Sequence, residues 1–414
     1  STKEWAQLLM VAVRVASLPG LLSTTTIFGV REELPDNPEP DTVGLVVAEG
    51  PVVGESAVPP GHFAEHQPPA LMMLHPPSET TPSLPECAGA ASGCVLLPGL
   101  PHLGLEHRAA WVEAEADGTV TIVTGTLDYG QGHWTPFAQV LHEKLGVPFE
   151  AIRLVQGDSD QLIAGGGTGG SRSAMNSGAA IVAAAEKVIE RGKLIASFVL
   201  EAATADIEFV QGRFTIAGTD RSIGIMELAE RLRAGMRLPD DVPASLDVNL
   251  VHDGVASAFP NGCHVAEVEI DPETGVVEVV AYTSVNDFGT QLNPMLVEGQ
   301  VHGGIVQGIG QALMEATVYD ENGQLLTGSY MDYALPRASD VPSFVVASHP
   351  IPATTNPLGV KGCGEAGCAG ALPAVMNAVV DALSAFGIRH IDMPATPHRV
   401  WQAIRNARRN GQTT

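Results

Sequence analysis

The stretch Gly359-Val-Lys-Gly-Cys-Gly-Glu-Ala-Gly367 places a single carboxylate, Glu365, among glycines immediately before an apolar, helix-forming run. Glycine lets the backbone approach other groups closely, and an acid that the surrounding chain shields from water becomes a stronger base. Glu365 is therefore a candidate general base, a group that accepts a proton near neutral pH. The alternative is a simple turn whose acid complements the positive end of the following helix.

Outward from this turn, helical and strand patterns alternate without a regular β-α-β repeat. The pattern predicts an α+β fold of mixed sheets and helices rather than a doubly wound parallel sheet. Two pairs of alternating segments predict hairpins at residues 110–124 and 266–282, and a short strand is predicted at Ile152–Val155. Helices are predicted at Thr135–Leu145, Ser173–Leu200, Met295–Ala316 and Pro373–Phe386, with a last one that starts at Pro397.

The first quarter of the chain differs in composition from the rest. Fifteen of the 30 prolines lie in residues 1–104, and proline disfavours both helices and central strands. We therefore predict a largely irregular, Pro-rich leader over residues 1–104, with at most one short helix at residues 4–18. Residues 105–414 form the second predicted unit, a folded domain with a subdomain boundary near residues 240–260.

The charge and cysteine content exclude several classes of protein. With 47 acidic and 22 basic residues, the net charge is −25, and so acidic a surface repels the phosphate backbone of a nucleic acid. No apolar run reaches the length of a membrane span. The five cysteines form neither a disulfide framework nor a metal-binding pattern. We expect a cytoplasmic protein that binds no nucleic acid, has no membrane span and holds no metal ion with its own side chains.

Four glycine-rich segments carry the candidate binding groups: Gly125–Thr135, Gly165–Ser173, Glu298–Gly304 and Gly359–Gly367, here called the first to the fourth glycine segment. Each places backbone amides beside polar side chains, a combination that holds anions and cofactors. The candidate residues are Gly130, Gln131, Gly132 and His133 in the first, Thr168, Gly169, Gly170, Ser171, Arg172 and Ser173 in the second, Gln300 in the third, and Lys361, Gly362 and Gly364 in the fourth.

Two of these segments also spell G-x-G-x-x-G, at Gly165–Gly170 and at Gly362–Gly367. A dinucleotide site needs a strand that runs directly into such a turn and an acid about twenty residues later, at the end of a second strand. The acids at that distance, Glu186 and Asp381, lie in helical patterns. A dinucleotide-binding protein that uses these loops therefore stays the weaker alternative.

The order of the motifs resembles one family. The chain contains D-G-T-V-T-I-V-T-G-T, then G-Q-G-H, G-G-T-G-G-S-R-S, V-E-G-Q-V-H-G-G and N-P-L-G-V-K-G-C-G-E-A-G. This succession resembles the C-terminal, molybdopterin-binding region of the large subunit in the xanthine dehydrogenase and aldehyde oxidase family of molybdenum hydroxylases. The resemblance extends over residues 105–405, whereas the Pro-rich leader does not resemble the family.

The resemblance implies a molybdenum ion carried by molybdopterin, usually in its cytosine dinucleotide form in bacterial members, with no side chain on the metal. By motif match, Gln131–His133 and Thr168–Ser173 would contact the cofactor, the latter at its phosphate end. Gln300 would lie near the molybdenum, and Glu365 would be the general base.

The implied reaction is a water-dependent oxidative hydroxylation of an aldehyde or an N-heteroaromatic compound. Electrons would leave through an FAD-binding medium subunit and a [2Fe–2S] small subunit in an oligomeric complex. The family's preceding large-subunit domains have no counterpart in residues 1–104, so we expect a truncated portion on which the cofactor would lie on an open face, inactive as an isolated chain. A non-catalytic remnant that binds partner subunits is the alternative.

Overall fold

The computed structural model describes most of the chain beyond residue 107 and two short strands before it. The described residues are 11–14, 25–28, 108–114, 118–158, 160–161 and 165–411. The predicted irregular leader otherwise lies outside the described residues.

Strands and helices follow one another in mixed order in this part of the chain. The strands are β1 (Val11–Arg14), β2 (Thr25–Phe28), β3 (Arg108–Ala114), β4 (Val120–Thr124), β5 (Ile152–Gln156), β6 (Ile207–Val210), β7 (Arg213–Ile216), β8 (Ser222–Gly224), β9 (Val248–His252), β10 (Asn261–Ile270), β11 (Val277–Asp287) and β12 (Phe344–Ser348). The α-helices are α1 (Trp134–Leu145), α2 (Ser173–Val199), α3 (Ile225–Arg233), α4 (Pro294–Leu313), α5 (Ala366–Leu383) and α6 (Pro397–Gly411). Short 3₁₀ turns occupy Phe149–Ala151, Thr204–Asp206, Ala338–Asp340 and Ser384–Phe386.

A four-stranded sheet of order β5–β4–β3–β9 builds the first hydrophobic core. β3 pairs antiparallel with β4 and β9, and β4 pairs parallel with β5. Every residue of β4 is buried, and α1 and α2 pack together with α2 against the sheet. The antiparallel sheet β6–β7–β8 and α3 extend the same core, to which Ile122, Leu141, Ile181 and Phe214 contribute.

A second core forms around the three-stranded sheet β10–β11–β12. β10 and β11 are antiparallel with one register shift at Glu267/Val268, and β11 and β12 are parallel. α5 packs between α4 and β10. β1 and β2 pair antiparallel, and β1 contacts β10.

The predicted α+β class is confirmed, and the predicted hairpins and helices correspond to β3–β4, β10–β11, α1, α2, α4 and α6. Two local predictions are wrong. Val11–Arg14 is a strand rather than part of a helix, because it pairs with β2. α5 begins at Ala366 and contains Pro373. Proline removes one helical hydrogen bond, but packing on both sides holds the helix together.

The subdomain boundary near residues 240–260 stays a prediction. It is supported by the fully buried residues of the two cores, since those of the first end at Val248 and those of the second begin at Ala266. The sheet β6–β7–β8, α3, β9 and β12 were not predicted.

Among the residues that the structure describes, one helix has the length and hydropathy of a membrane span. This is the stretch Ala366–Phe386, which includes α5. In the structure α5 packs against α4 and β10, and one of its faces is buried in the second core. These contacts are those of a core helix.

Two adjacent glycines on α4 give a matched test of this packing. A Cβ on Gly304 would lie 2.9 Å from the Cys368 backbone nitrogen of α5, whereas one on Gly303 would meet no atom within 4 Å. Gly304→Ala is expected to lower the free energy of unfolding by about 1–3 kcal/mol through overpacking. Gly303→Ala is expected to raise it by up to about 1 kcal/mol, because alanine favours helix. Urea unfolding measures both, and equal effects would contradict the close contact.

A buried histidine connects β10 and β11 in the second core. The His264 ring nitrogen Nδ1 lies 2.8 Å from Tyr282 Oη, and Nε2 lies 3.3 Å from Asn286 Oδ1. Burial lowers the pKa of His264 to about 4, and the Asn286 contact offsets this only in part. Burial also raises the pKa of Tyr282, so the phenol stays protonated. Its hydroxyl donates a hydrogen bond to Nδ1 of His264. His264 is therefore neutral, with its own proton on Nε2.

This histidine makes the stability depend on pH. The unfolded chain protonates His264 near pH 6.5 and the folded chain only near pH 4, so the unfolded state binds more protons in that window. The contribution of neutral His264 to the free energy of unfolding is complete above pH 6.5. It is lost as the pH falls toward 4, by at most about 3 kcal/mol. We expect the unfolding free energy of the parent to fall more steeply across this window than that of His264→Gln. Parallel slopes in urea unfolding at several pH values would contradict this assignment.

Candidate functional site

The first and second glycine segments lie side by side. The Gly167 amide donates to the Gly125 carbonyl at 3.0 Å, and the Leu127 amide donates to Thr168 Oγ1 at 3.0 Å. A Cβ on Gly165 would lie 2.4 Å from the Gly125 Cα, so only glycine permits this approach. The first segment follows the end of β4, and the second leads into the start of α2. They meet at one edge of the first core.

Asp128 organises the backbone of the first segment. Its Oδ1 accepts from the amides of Gly130 at 2.7 Å and Gly132 at 3.2 Å, and its Oδ2 accepts from the His133 amide at 2.8 Å. Burial opposes ionisation, but these three amides and the nearby His133 outweigh it and hold the pKa of Asp128 below its ordinary value. The amides predicted to face a ligand are thus bonded within the loop. Gly130 and Gly132 adopt φ of 112° and 74°, a conformation that glycine allows.

Two side chains of the first segment point in different directions from this turn. Gln131 is half-buried, and its Oε1 accepts from the Tyr129 amide. His133 is buried, with Nδ1 3.4 Å from Gln156 Oε1 and its ring stacked on Phe137. His133 thus packs on the core side.

The second segment leads into α2 with exposed glycines and bonded hydroxyls. Gly169 and Gly170 are exposed, and a Cβ on Gly169 would meet no atom within 4 Å. Ser173 Oγ donates to Thr168 Oγ1 at 3.4 Å. Arg172 directly precedes the first residue of α2, and its Nε lies 3.1 Å from where a Gly170 Cβ would be. An open, amide-rich surface at the positive end of a 27-residue helix suits an anionic group.

The fourth segment contacts the second directly. Ser171 Oγ donates to Glu365 Oε2 at 2.6 Å, and the Glu365 amide donates to Ser171 Oγ at 3.0 Å. A Cβ on Gly362 would lie only 1.5 Å from the Ser171 carbonyl oxygen. Glu365 itself is exposed at the start of α5 and makes no side-chain cap. The shielding from water that was expected around this acid is therefore not provided by the described part of the chain.

Lys361 is held by a buried carboxylate. Its Nζ lies 2.5 Å from Asp287 Oδ2, and the two side chains are only 10% and 8% exposed. Asp287 Oδ1 also accepts from the amides of Gly289 and Ile351, both at 2.9 Å. This pair ties the fourth segment to the end of β11. A cofactor-binding role for Lys361 stays a prediction, and in the structure its charge is matched by Asp287.

The third segment lies on α4, beside the start of α5. The Val301 carbonyl would lie 2.5 Å from a Cβ on Gly367, so α4 contacts the fourth segment closely. Gln300, the residue before Val301, is half-buried. The buried Nε2 of His302 has no hydrogen-bond partner among the described residues, and Glu298 Oε1 is 3.8 Å away.

α4 also reaches the first segment. A Cβ on Gly132 would lie 3.3 Å from Leu296, and Asn293 Nδ2 donates to Gln139 Oε1 at 3.2 Å. The four segments therefore form one continuous region. Sequence reasoning missed Asp128 and Asp287, although each stands two residues before a glycine, a spacing typical of side chains that bond the following turn.

The donor set of this region fits a phosphate-bearing organic cofactor. It offers open glycine amides, a helix start and polar side chains. In the part of the chain that the structure describes, no group of three or more His, Cys, Asp or Glu residues could hold a metal ion. The G-x-G-x-x-G glycines do not follow a described strand directly, since β5 ends at Gln156 and Val360 forms only an isolated bridge with Gly289.

Comparison with known proteins agrees with this donor set. The family model of the molybdopterin cofactor-binding domain matches residues 87–342, more than half of the chain. The chain belongs to this molybdopterin-binding family. It is 37% identical over 322 residues to the nicotine 6-hydroxylase large subunit of Paenarthrobacter nicotinovorans, covering 77% of this chain and 39% of that protein. It is 35% identical to the carbon monoxide dehydrogenase large chain of Hydrogenophaga pseudoflava, covering 70% of this chain and 36% of the relative.

Solved structures of the same kind are similar in fold. Carbon monoxide dehydrogenase from Oligotropha carboxidovorans aligns with a TM-score of 0.67 at 32% identity, over 73% of this chain and 38% of that one. Quinoline 2-oxidoreductase from Pseudomonas putida 86 aligns with a TM-score of 0.63 at 36% identity, over 72% and 38%. The resemblance to the xanthine dehydrogenase and aldehyde oxidase family is confirmed. This molybdopterin-binding chain spans less than two fifths of the length of these relatives.

Proposed function

We propose that this chain is the cofactor-binding portion of the large subunit of a molybdenum hydroxylase that carries out water-dependent oxidative hydroxylation of an N-heteroaromatic compound or an aldehyde. The observation that carries the proposal is the contact between Ser171 and Glu365, which joins two glycine segments 194 residues apart at a lone acid. The first and third segments adjoin the same region. A scattered arrangement of these loops would have argued against a common site.

The residues proposed to hold the cofactor come from the first, second and third glycine segments. The second segment, Thr168–Ser173, would bind its phosphates with open amides and the start of α2. Gln131 and Gln300 would bind its polar ring edges with amide groups that both donate and accept. When bound, molybdopterin, proposed in its cytosine dinucleotide form, supplies the two-electron redox chemistry.

Glu365 would act as the general base of this site. A carboxylate at the start of α5 is held in place by Ser171 and can accept a proton from a reacting water. Because Glu365 is exposed here, we propose that the large-subunit domains beyond this chain shield it and exclude bulk water.

The relatives suggest the partners and the substrate class. The names nicotine 6-hydroxylase and quinoline 2-oxidoreductase describe reactions on N-heteroaromatic compounds, and an aldehyde oxidoreductase subunit of Escherichia coli is 33% identical. Several relatives are named as large subunits or chains, which supports an oligomeric assembly. We propose an FAD-binding medium subunit and a [2Fe–2S] small subunit as the electron acceptors, in the cytoplasm.

The test is to express the complete large subunit with its partner subunits and to measure molybdenum, pterin and product. We expect about one molybdenum per large subunit. In isotopically labelled water, the label should appear in the hydroxylated product. Label incorporated from molecular oxygen instead, or a purified complex without pterin, would contradict the proposal. Stabilisation by NAD without pterin would favour a dinucleotide-binding protein.

A further inference from the structure

Ser171 and Glu365 are joined by two hydrogen bonds in opposite directions. The Ser171 hydroxyl donates to Glu365 Oε2 at 2.6 Å, and the same oxygen accepts from the Glu365 amide at 3.0 Å. The amides at the start of a helix have no partner within the helix. Ser171 therefore serves both the side chain and the backbone of Glu365.

The backbone around this contact leaves little room for another arrangement. Gly362 packs so closely on the Ser171 carbonyl that a Cβ there would lie 1.5 Å from the oxygen. Ser171 itself has a φ of 54°, a left-handed conformation that is uncommon for residues other than glycine. Such strain persists only where the surrounding structure holds it and often marks a functional position.

We propose that Ser171 is a positioning residue for Glu365, and that its hydroxyl serves this acid rather than the phosphates of a cofactor. The inference rests on the proposed function for its catalytic consequence. A hydroxyl has one proton to donate, and that proton points to Glu365. This hydrogen bond restricts an exposed side chain that would otherwise sample several rotamers.

Ser171→Gly is the sharpest substitution, because glycine accepts the positive φ and removes only the hydroxymethyl group. The matched control is Glu201→Gly, which replaces another non-glycine residue at a φ of 53°, exposed in the turn after α2 and outside the four glycine segments. Both variants relieve the same kind of backbone strain. Only Ser171→Gly removes the contact to Glu365.

The first readout needs no cofactor. In the chain described here, hydrogen exchange at the Glu365 amide is expected to become at least about tenfold faster in Ser171→Gly, because its acceptor is lost. Glu201→Gly should leave that amide unchanged. Unchanged exchange at Glu365 in both variants would overturn the proposed contact.

The second readout uses the complete enzyme with its partner subunits. Ser171→Gly is expected to lower kcat about tenfold, the size of one hydrogen bond to a charged group, with KM within about twofold. Ser171→Asn should restore part of kcat, since asparagine tolerates the left-handed conformation and supplies an amide donor.

The outcomes separate this inference from the proposed function. Faster exchange at Glu365 with unchanged kcat would overturn the positioning role and leave the hydroxylase assignment intact. A lower molybdenum or pterin content in Ser171→Gly would place the hydroxyl on the cofactor instead and would also overturn it. If the parent complex shows no hydroxylation, the proposed function fails, and with it the catalytic role of Ser171.

Discussion

Replacing Glu365 by glutamine in the complete enzyme is expected to lower turnover by about 10²–10⁴-fold, the usual contribution of a general base. Glutamine keeps the shape of the side chain and can still receive the Ser171 proton at its carbonyl oxygen. It cannot accept a proton from a reacting water. The molybdenum and pterin content should equal that of the parent, because Glu365 is proposed to act on the reaction and not to bind the cofactor.

The control for this measurement is Glu190→Gln, an exposed acid on α2. It removes the same charge away from the four glycine segments and should leave kcat within about twofold. Turnover of Glu365→Gln within tenfold of the parent, at equal cofactor content, would remove Glu365 from the mechanism. The same result would revive the interpretation of Glu365 as a simple complement to the dipole of α5.

Asp287→Ala is expected to lower the free energy of unfolding by about 3–5 kcal/mol, the range for breaking a buried ion pair by removing one partner. The substitution leaves the Lys361 ammonium without its carboxylate in a site that is 10% exposed. It also removes the acceptor of the Gly289 and Ile351 amides. Urea unfolding of the chain measures the change.

Two further variants test the cause of this loss. Asp287→Ala combined with Lys361→Met should lose less stability than the sum of the single changes, because no charge is then buried alone. Glu227→Ala is the exposed counterpart, since it breaks the 2.6 Å pair with Arg231 at about half exposure, and it should cost under about 1 kcal/mol. If Asp287→Ala lowers the free energy of unfolding by less than about 1 kcal/mol, the buried pair stabilises the fold no more than an exposed one.

The pair also matters for the site. Lys361 stands four residues before Glu365, and its bond to Asp287 fixes the fourth glycine segment on the second core. Through Glu365 and Ser171 the same segment reaches the second glycine segment at the edge of the first core. A change at Asp287 should therefore disturb the site as well as the stability.

The elements that were predictable from sequence are those set by local chemistry. α1 is followed by Gly146 in the left-handed conformation, and α6 begins at a proline after Thr396. β10 and β11 alternate on either side of a glycine-containing turn. The sequence did not predict that α5 begins at Ala366, because a proline such as Pro373 usually stands in the first turn of a helix. Packing against α4 and β10 allows the helix to extend ahead of it.

The candidate site was predictable as a set of residues but not as a set of contacts. Its glycines and polar side chains stand out in the sequence because their spacing is unusual. That Asp128 bonds the amides of the first segment depends on how the loop closes on itself. That Glu365 is exposed depends on which parts of the protein surround it.

The amino-acid sequence alone determined the four glycine segments, the lone acid before α5 and the family resemblance, because these depend on residues within a few positions of one another. Only the tertiary structure decided that Ser171 bonds Glu365 and that Asp287 bonds Lys361. These partners are 194 and 74 residues apart. Such distant contacts form only when packing of the two cores brings the segments together, and no local pattern specifies which hydroxyl or carboxylate will lie within 3 Å of another group.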